Sequence, residues 1–140
     1  MPQEREDINS YHKVFITQKV IVQNKEGKIL VMRRTETAPS RPLGWDIPGG
    51  SLQFGEDPME GIIRETKEEA GIVIQDVKPV DVSSVLNPDN EYWVRIGYVA
   101  QTTSEIVTLS FEHDQYKWVT KKEFLNSSIP GVYKRFAEKM

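Results

Sequence analysis

The segment from Asp57 to Gly71 constrains the fold of this chain most, because both of its ends and its periodicity predict one short helix. Asp57 can accept hydrogen bonds from the first turn, Pro58 suits the first helical position, and Gly71 suits the left-handed residue that ends a helix. Small or apolar side chains recur at helical intervals and predict a buried face made of Met59, Ile62, Ile63, Thr66 and Ala70. The helix is therefore predicted over 58–70, packed on one side.

The rest of the chain contains more predicted strands than helices. Apolar and β-branched runs predict six extended segments, over residues 14–22, 28–32, 45–50, 72–85, 92–101 and 116–119. A capping-box spacing predicts a short helix after Thr120, and a last helix is predicted over 130–139. Because the strands do not alternate regularly with the helices, the predicted fold class is α+β, a mixed β-sheet with helices packed on its faces.

The length of 140 residues is sufficient for one hydrophobic core, so a single domain is predicted over 1–140, with 1–10 as a candidate flexible segment. Cysteine is absent, which excludes disulfides, thiolate metal sites and thiol nucleophiles. No apolar run approaches the roughly 18 residues of a membrane helix, and the charged N-terminus lacks an apolar signal segment. We therefore expect a cytoplasmic protein with no membrane partner.

The negative charge of the chain is concentrated in one short segment. The formal net charge is −3, and residues 50–72 hold six acids and two bases, a net of −4, so the remainder carries +1. A chain without a basic surface excess is poorly suited to extended nucleic acid, whose binding draws on Lys and Arg. No extended nucleic-acid partner is expected, and the acidic segment is the first candidate for a functional site.

Three glutamates lie close together near the end of the predicted helix. Glu65, Glu68 and Glu69 stand at i, i+3 and i+4, so their side chains are expected to point the same way. Anions in the last turn oppose the helix dipole at a cost of about 0.3–1 kcal/mol each, and neighbouring carboxylates also repel. A divalent cation would remove both penalties, and oxygen ligands favour Mg2+ or Mn2+ over zinc. The alternative is a solvated face on which Arg64 pairs with neighbouring glutamates.

The spacing of this segment resembles the signature of the Nudix hydrolases. Gly50, five residues, Glu56, seven residues and the run 64–72 follow the pattern G-x5-E-x7-R-E-U-x-E-E-x-G-U, in which U is an aliphatic residue. Thr66 at the first U position is the one departure, and it bears on the packing of the helix and not on the catalytic residues. The resemblance implies the Nudix fold, a mixed β-sheet sandwiched between helices (α/β/α). It also implies hydrolysis of a nucleoside diphosphate linked to another group, by water attack at phosphorus with Mg2+ or Mn2+.

The resemblance further implies roles for individual residues. Metal ligands are expected at Gly50, through its backbone carbonyl, and at Glu65, Glu68, Glu69 and Glu112. Arg64 is expected to orient a carboxylate of the motif, either Glu56 or Glu68. The catalytic set implied in this way comprises Glu65, Glu68, Glu69, Arg64 and Glu112. Glu112 stands for the additional carboxylate that many members take from a loop outside the motif. Asp114 is the alternative, and a plain polar loop is the other interpretation.

Four residues outside the motif are candidates for substrate binding. Arg34 and Arg41 flank the loop before the motif and could hold phosphates through the bidentate guanidinium, with ordinary surface charge as the alternative. Phe54 and Trp93 could stack on a base, with a core position as the alternative for each. His113 is expected to be a solvated loop residue.

The predicted function is a metal-dependent pyrophosphohydrolase of a small nucleotide, with a nucleoside triphosphate or a modified nucleotide favoured. ADP-ribose and nucleotide sugars are the alternative substrates, and cleavage of capped or triphosphorylated RNA ends is a further one. A non-catalytic nucleotide-binding sensor module is the alternative of a different class, although a pure binder does not need three carboxylates at the end of a helix. A homodimer is a candidate assembly, because an apolar strand face fits either a core or a dimer interface.

Overall fold

The computed structural model describes residues 13–140, so the candidate flexible segment 1–10 lies outside the described residues. The strands are β1 (Lys13–Gln23), β2 (Ile29–Arg34), β3 (Trp45–Asp46), β4 (Gly49–Ser51), β5 (Ile74–Leu86), β6 (Glu91–Thr102) and β7 (His113–Val119). The helices are α1 (Pro58–Ala70), α2 (Lys121–Leu125) and α3 (Gly131–Glu138). Within residues 13–140, no helix is long and apolar enough to cross a membrane.

The strands of the described part form one mixed sheet. Its main path runs β3-β2-β1-β6-β5, with β4 paired to β1 and β7 paired to β2. β1 and β6 are parallel over their whole length, from Lys13 beside Glu91 to Gln23 beside Gln101, and the other pairs are antiparallel. The predicted α+β class with a mixed sheet is therefore confirmed.

Alternating side chains along β1 divide the hydrophobic core into two layers. Val20 and Val22 belong to the layer beneath α1, together with Ile62 of that helix. Ile21, which lies between them in sequence, belongs to the layer beneath α2 and α3, together with Phe136. Helices therefore cover both faces of the sheet, as the α/β/α arrangement requires.

The local signals at the ends of the helices act as predicted. The side chain of Asp57 accepts two backbone N–H groups of the first turn of α1. Gly71 ends this helix in the left-handed conformation, with a φ of 67°. Before α2, Thr120 and Glu123 form the reciprocal hydrogen bonds of a capping box. Each of these contacts lies within a few residues in sequence, which is why the pattern alone could predict them.

The buried face of α1 differs from the predicted one. Met59 and Ile63 are each 37% exposed, whereas Gly61 and Glu69 are buried instead. Gly61 has no side chain to hold the preceding loop away, and a Cβ there would lie 2.9 Å from a side-chain carbon of that loop. Thr66, the departure from the motif, is fully buried and its hydroxyl donates to the carbonyl four residues earlier at 2.7 Å. The face of α1 that carries Gly61 and Glu69 is thus turned towards β4.

Gly97 of β6 allows α3 to pack against the sheet at close range, since a Cβ at this position would overlap the ring of Phe136. We expect Gly97→Ala to lower the free energy of unfolding by about 1–3 kcal/mol, because the ring must move within a packed core. Chemical denaturation measures the change. Gly131→Ala, at the start of α3, is the matched control because a Cβ there has no neighbour within 4 Å. Equal losses in the two variants would contradict the packing argument.

Candidate active site

Two adjacent glycines bring the backbone of β4 against the carboxylates of α1. The single extended piece predicted over 45–50 is in fact two strands, β3 and β4, and the glycines lie in the second. The N–H of Gly49 donates to Glu69 Oε2 at 3.5 Å, and a Cβ on Gly50 would lie 2.8 Å from Glu65 Oε2. Gly49 has a φ of 147°, and a side chain there would collide with the carbonyl of Gln18, so only glycine fits.

Arg64 is the centre of an ion-pair cluster at this end of α1. Its Nε and Nη2 bond both oxygens of Glu56, at 2.6 and 3.0 Å. Nη1 bonds Glu68 at 3.0 Å, and Nη2 also reaches Glu65 at 3.2 Å. The hydrogen bonds from Arg64 hold the pKa of Glu56 below its ordinary value. Both of the partners proposed for Arg64, Glu56 and Glu68, are therefore bonded to it.

The three glutamates of the motif do not point the same way, which corrects the prediction. Glu69 is 5% exposed and Glu65 lies against β4, whereas the side chain of Glu68 is 59% exposed. Adjacent helical residues are about 100° apart around the axis, so Glu68 and Glu69 diverge. Among residues 13–140, no three acidic or histidine side chains converge as ligands of one metal ion. The metal-ligand roles of these residues stay predictions.

Burial is the largest influence on Glu69, and it raises the pKa of this carboxyl to about 8. The positive charge of Lys19 opposes the increase, whereas the carboxylates of Glu112 and Glu65 add to it. Glu112 is close enough to influence the Glu69 carboxyl because the loop before β7 runs along the end of α1. The Ser110 N–H of this loop donates to the Glu69 carbonyl at 3.0 Å. A cation between these carboxylates would favour their ionised forms.

A buried aspartate next to these carboxylates pairs with three cations, and it was not predicted from the sequence. Asp46 is 1% exposed, and its carboxylate lies 3.2–3.3 Å from Lys19, Arg34 and Arg41. These four residues are called the Asp46 cluster below. Burial raises the pKa of Asp46, but Lys19, the Ile47 N–H and Arg41 outweigh it and hold the pKa below its ordinary value. Lys19 could have indicated a buried acid from the sequence, because a lysine inside an apolar strand requires a buried partner.

The structure separates the four candidate substrate residues into three places. Arg34 and Arg41 lie together in the Asp46 cluster, and their guanidinium groups also donate to the backbone carbonyls of Ser40 and Trp45, respectively. Trp93 of β6 stacks on Phe15 of β1, with ring centroids 4.4 Å apart. Phe54 is fully exposed in the loop before α1, where it lines a cleft of about 340 Å3 with Phe15. Their roles in substrate binding stay predictions.

Three polar residues before and at the start of β7 lie in different environments. Glu112 is exposed and lines a cleft of about 310 Å3 together with Arg34. Asp114 forms a bidentate ion pair with Arg33, at 2.8 and 3.0 Å, which favours Glu112 over Asp114 as the additional carboxylate. His113 is not solvated as expected. It is 7% exposed because β7 begins at this residue, and neither ring nitrogen has a hydrogen-bond partner among residues 13–140.

Comparison with known families decides which class of protein has this arrangement. The family model described as NUDIX domain matches residues 15–140. The chain belongs to the Nudix hydrolase family. Nudix hydrolases act on pyrophosphate bonds, and they generally use divalent cations such as Mg2+ or Mn2+. The resemblance inferred from the spacing of residues 50–72 is therefore confirmed, and so is the assignment to the hydrolases.

Individual Nudix proteins are similar to the chain over most of its length. Nudix hydrolase 5 of Arabidopsis thaliana is 30% identical over 124 residues, which cover 84% of this chain but 39% of the relative. The RNA pyrophosphohydrolase of Acidiphilium cryptum is 24% identical, and the match covers 81% of this chain and 82% of the relative. Among solved structures, the MutT protein of Methanosarcina mazei Go1 has 28% identity and a TM-score of 0.74, with 91% and 93% of the two chains covered. The chain thus spans less than half of the plant protein, and the Nudix fold is confirmed.

Proposed function

We propose that this Nudix protein hydrolyses a pyrophosphate bond of a small nucleotide in a reaction that depends on Mg2+ or Mn2+. One observation carries the proposal, the juxtaposition of opposite charges around β3 and β4. The carboxylates of Glu65 and Glu69 lie against β4, and the Asp46 cluster adjoins them through Lys19. Carboxylates suit a hard cation, whereas guanidinium groups suit the phosphates of a nucleotide.

The donor set fits a hard divalent cation. The candidate ligands, which are Gly50, Glu65, Glu68, Glu69 and Glu112, offer oxygen atoms only, as Mg2+ and Mn2+ prefer. The absence of a side chain at Gly50 leaves room beside the Glu65 carboxylate. Within residues 13–140, no lysine or arginine forms an ion pair with the buried carboxylate of Glu69. When bound, the ion would polarise the phosphate and acidify the attacking water.

Other side chains of the site are candidates for binding phosphate, positioning the carboxylates and accepting a proton. Arg34 and Arg41, which Asp46 holds in place, are our candidates for binding the phosphates of the substrate. Arg64 holds three carboxylates of the motif in a fixed arrangement. Glu112 is our candidate for the group that accepts the proton of the attacking water. Its carboxylate is exposed and lines the same cleft as Arg34, so it is accessible to solvent beside the phosphate-binding groups.

Removal of the Glu112 carboxylate tests this assignment. We expect Glu112→Gln to lower turnover by about a hundredfold, because general bases typically contribute 10²–10⁴-fold. The acid limb of the pH–rate profile should also flatten, because this limb reports the base. Glu105→Gln is the matched control, an exposed glutamate in the same segment before β7. An unchanged profile and an unchanged metal dependence in Glu112→Gln would remove Glu112 from the site.

Hydrolysis of a panel of nucleotides, followed by chromatographic separation of the nucleotide products, tests the proposed function as a whole. The panel contains canonical and oxidised nucleoside triphosphates, ADP-ribose, nucleotide sugars and diadenosine polyphosphates, each with Mg2+, with Mn2+ and with EDTA. We expect turnover of one class that EDTA abolishes, with nucleoside triphosphates or their modified forms first. Turnover that persists in EDTA would contradict the metal dependence. A nucleotide that raises the melting temperature without being cleaved would favour the non-catalytic sensor module.

A second candidate substrate is the 5′ end of RNA, because the relative from Acidiphilium cryptum is named an RNA pyrophosphohydrolase and is matched over 82% of its length. The net charge of −3 argues against a long RNA footprint, so only the terminal nucleotides would be held. A triphosphorylated oligonucleotide added to the panel tests this candidate. Faster cleavage of its end than of any free nucleotide would select it, whereas no cleavage would exclude it.

We also propose that the protein acts in the cytoplasm, on small nucleotides and apart from membranes. A homodimer stays a prediction. Its candidate surface is the outer edge of β5, where Val82 and Leu86 are 67% and 62% exposed. Light scattering of the purified chain measures the mass in solution, and a mass near 16.1 kDa would contradict the dimer.

A further inference from the structure

Arg95 of β6 has no counter-ion within residues 13–140 and is not one of the candidate catalytic or metal-binding residues. Its side chain is half-buried, and its Nε is buried with no hydrogen-bond partner. Among residues 13–140, no carboxylate lies within ion-pair distance of its guanidinium, which lies over the ring of Tyr133, 5.8 Å from the centroid. A buried donor of this kind is normally bonded, because leaving it unpaired is costly. The guanidinium of Arg95 is therefore a candidate group for binding an anionic ligand.

The position of Arg95 connects it to the catalytic end of the sheet. Lys19 of β1 lies over the same Tyr133 ring, 5.7 Å from its centroid, and also belongs to the Asp46 cluster. Strand register places Thr17 of β1 and Ser83 of β5 directly beside Arg95 on the same face. Arg95 and Lys19 of the Asp46 cluster therefore flank the same tyrosine ring, and a ligand that contacts both would extend past Tyr133 along β1 and β6.

The acids on this face already have partners. The carboxylate of Asp81 on β5 bonds Arg135 at 2.7 Å and Lys139 at 3.0 Å, and that of Asp46 serves three cations. This face of the sheet therefore has an excess of positive charge at Arg95. An anionic ligand is favoured over a neutral acceptor, because it would compensate the charge of the partly buried guanidinium. Among the groups that a nucleotide carries, only a further phosphate supplies that charge.

We propose that Arg95 binds a second phosphate of the substrate, one that is attached to the sugar and is separate from the pyrophosphate that is cleaved. The inference rests on the proposed function, because that function sets the nucleotide along β1 and β6. Trp93, two residues before Arg95 on the same face of β6, stacks on Phe15 and is a candidate neighbour of the base. The phosphate could belong to a free nucleoside bisphosphate or to the 3′-linked phosphodiester at the 5′ end of a polynucleotide.

The test compares the binding of AMP with that of adenosine 3′,5′-bisphosphate by titration calorimetry in Mg2+. Neither probe has a pyrophosphate bond, so the result is independent of turnover and of whether the proposed hydrolysis is correct. We expect wild-type protein to bind the bisphosphate at least about tenfold more tightly, as for a charged hydrogen bond. Arg95→Gln should reduce the ratio to about one, and Arg95→Lys should restore part of it because the charge returns.

Lys25→Gln, in the turn between β1 and β2, is the control for the loss of one positive charge and should keep the wild-type ratio. A dinucleotide with a 5′-phosphate separates the two sources. An Arg95-dependent gain with the dinucleotide assigns the site to the end of a polynucleotide, and a gain confined to the bisphosphate assigns it to a free nucleotide. A wild-type ratio near one, or a ratio that survives in a folded Arg95→Gln protein, would overturn the proposal.

Discussion

Glu69→Gln is expected to lower turnover by at least about two orders of magnitude. The substitution keeps the size of the side chain but removes its charge, and groups that merely support a metal ligand already contribute about 10–100-fold. Steady-state assays in saturating Mg2+ measure the loss. Glu60→Gln is the matched control, since Glu60 is an exposed glutamate in the first turn of the same helix. Turnover of Glu69→Gln near that of wild type would remove Glu69 from the cation site.

The same substitution also tests how the burial of Glu69 affects the pH dependence of stability. Burial raises the pKa of Glu69 from its ordinary value of 4.5 to about 8. The unfolded chain therefore releases this proton first as the pH rises, and the metal-free protein loses stability between about pH 4.5 and pH 8. We expect Glu69→Gln to remove this decrease, which is on the order of a few kcal/mol. Denaturation of both proteins in EDTA across this range measures it, and parallel stability curves would contradict the burial argument.

Asp46→Asn is expected to lower the free energy of unfolding by about 3–5 kcal/mol, the usual cost of removing one partner from a buried ion pair. Lys19, whose side chain is 13% exposed, would keep only the Ile47 carbonyl as a bonded acceptor among residues 13–140. Arg34 and Arg41 would lose the charge that holds them, so KM should rise more than kcat falls. Urea denaturation and steady-state kinetics measure the two effects.

Asp114→Asn provides the matched control for this substitution. Asp114 also forms a close pair with an arginine, but its side chain is 37% exposed and that of Asp46 is 2% exposed. Exposed ion pairs contribute about 0–1 kcal/mol, so a small loss and an unchanged KM are expected. Equal losses of stability in the two variants would show that burial does not determine the importance of Asp46.

The helix α1 and its motif could be predicted from sequence because the signals are local. Asp57 and Gly71 act within one turn of the residues they cap, and the spacing from Gly50 to Ile72 carries the family resemblance by itself. The capping box at Thr120 has the same property. Strand boundaries were less well determined, since β7 begins at His113 and not at residue 116. Pairing with β2, about 80 residues earlier in the chain, sets that boundary.

The charge arrangement of the site could not be read from the sequence for the same reason. Asp46, Lys19 and Arg34 come from three strands, and only the sheet topology brings them within bonding distance. The parallel pairing of β1 with β6 likewise places Arg95 beside residues nearly 80 positions away. Charges that form long-range pairs leave only indirect traces in a sequence, such as a lysine within an apolar strand.

Binding of Mn2+ followed by electron paramagnetic resonance shows whether the carboxylates of α1 hold a divalent cation. The comparison uses wild type, Glu69→Gln and the control Glu60→Gln, without substrate. We expect wild type and the control to bind Mn2+ with the same affinity, and Glu69→Gln to bind it at least about tenfold more weakly. Equal affinity in all three proteins, or no binding by wild type, would contradict a divalent-cation site at Glu69.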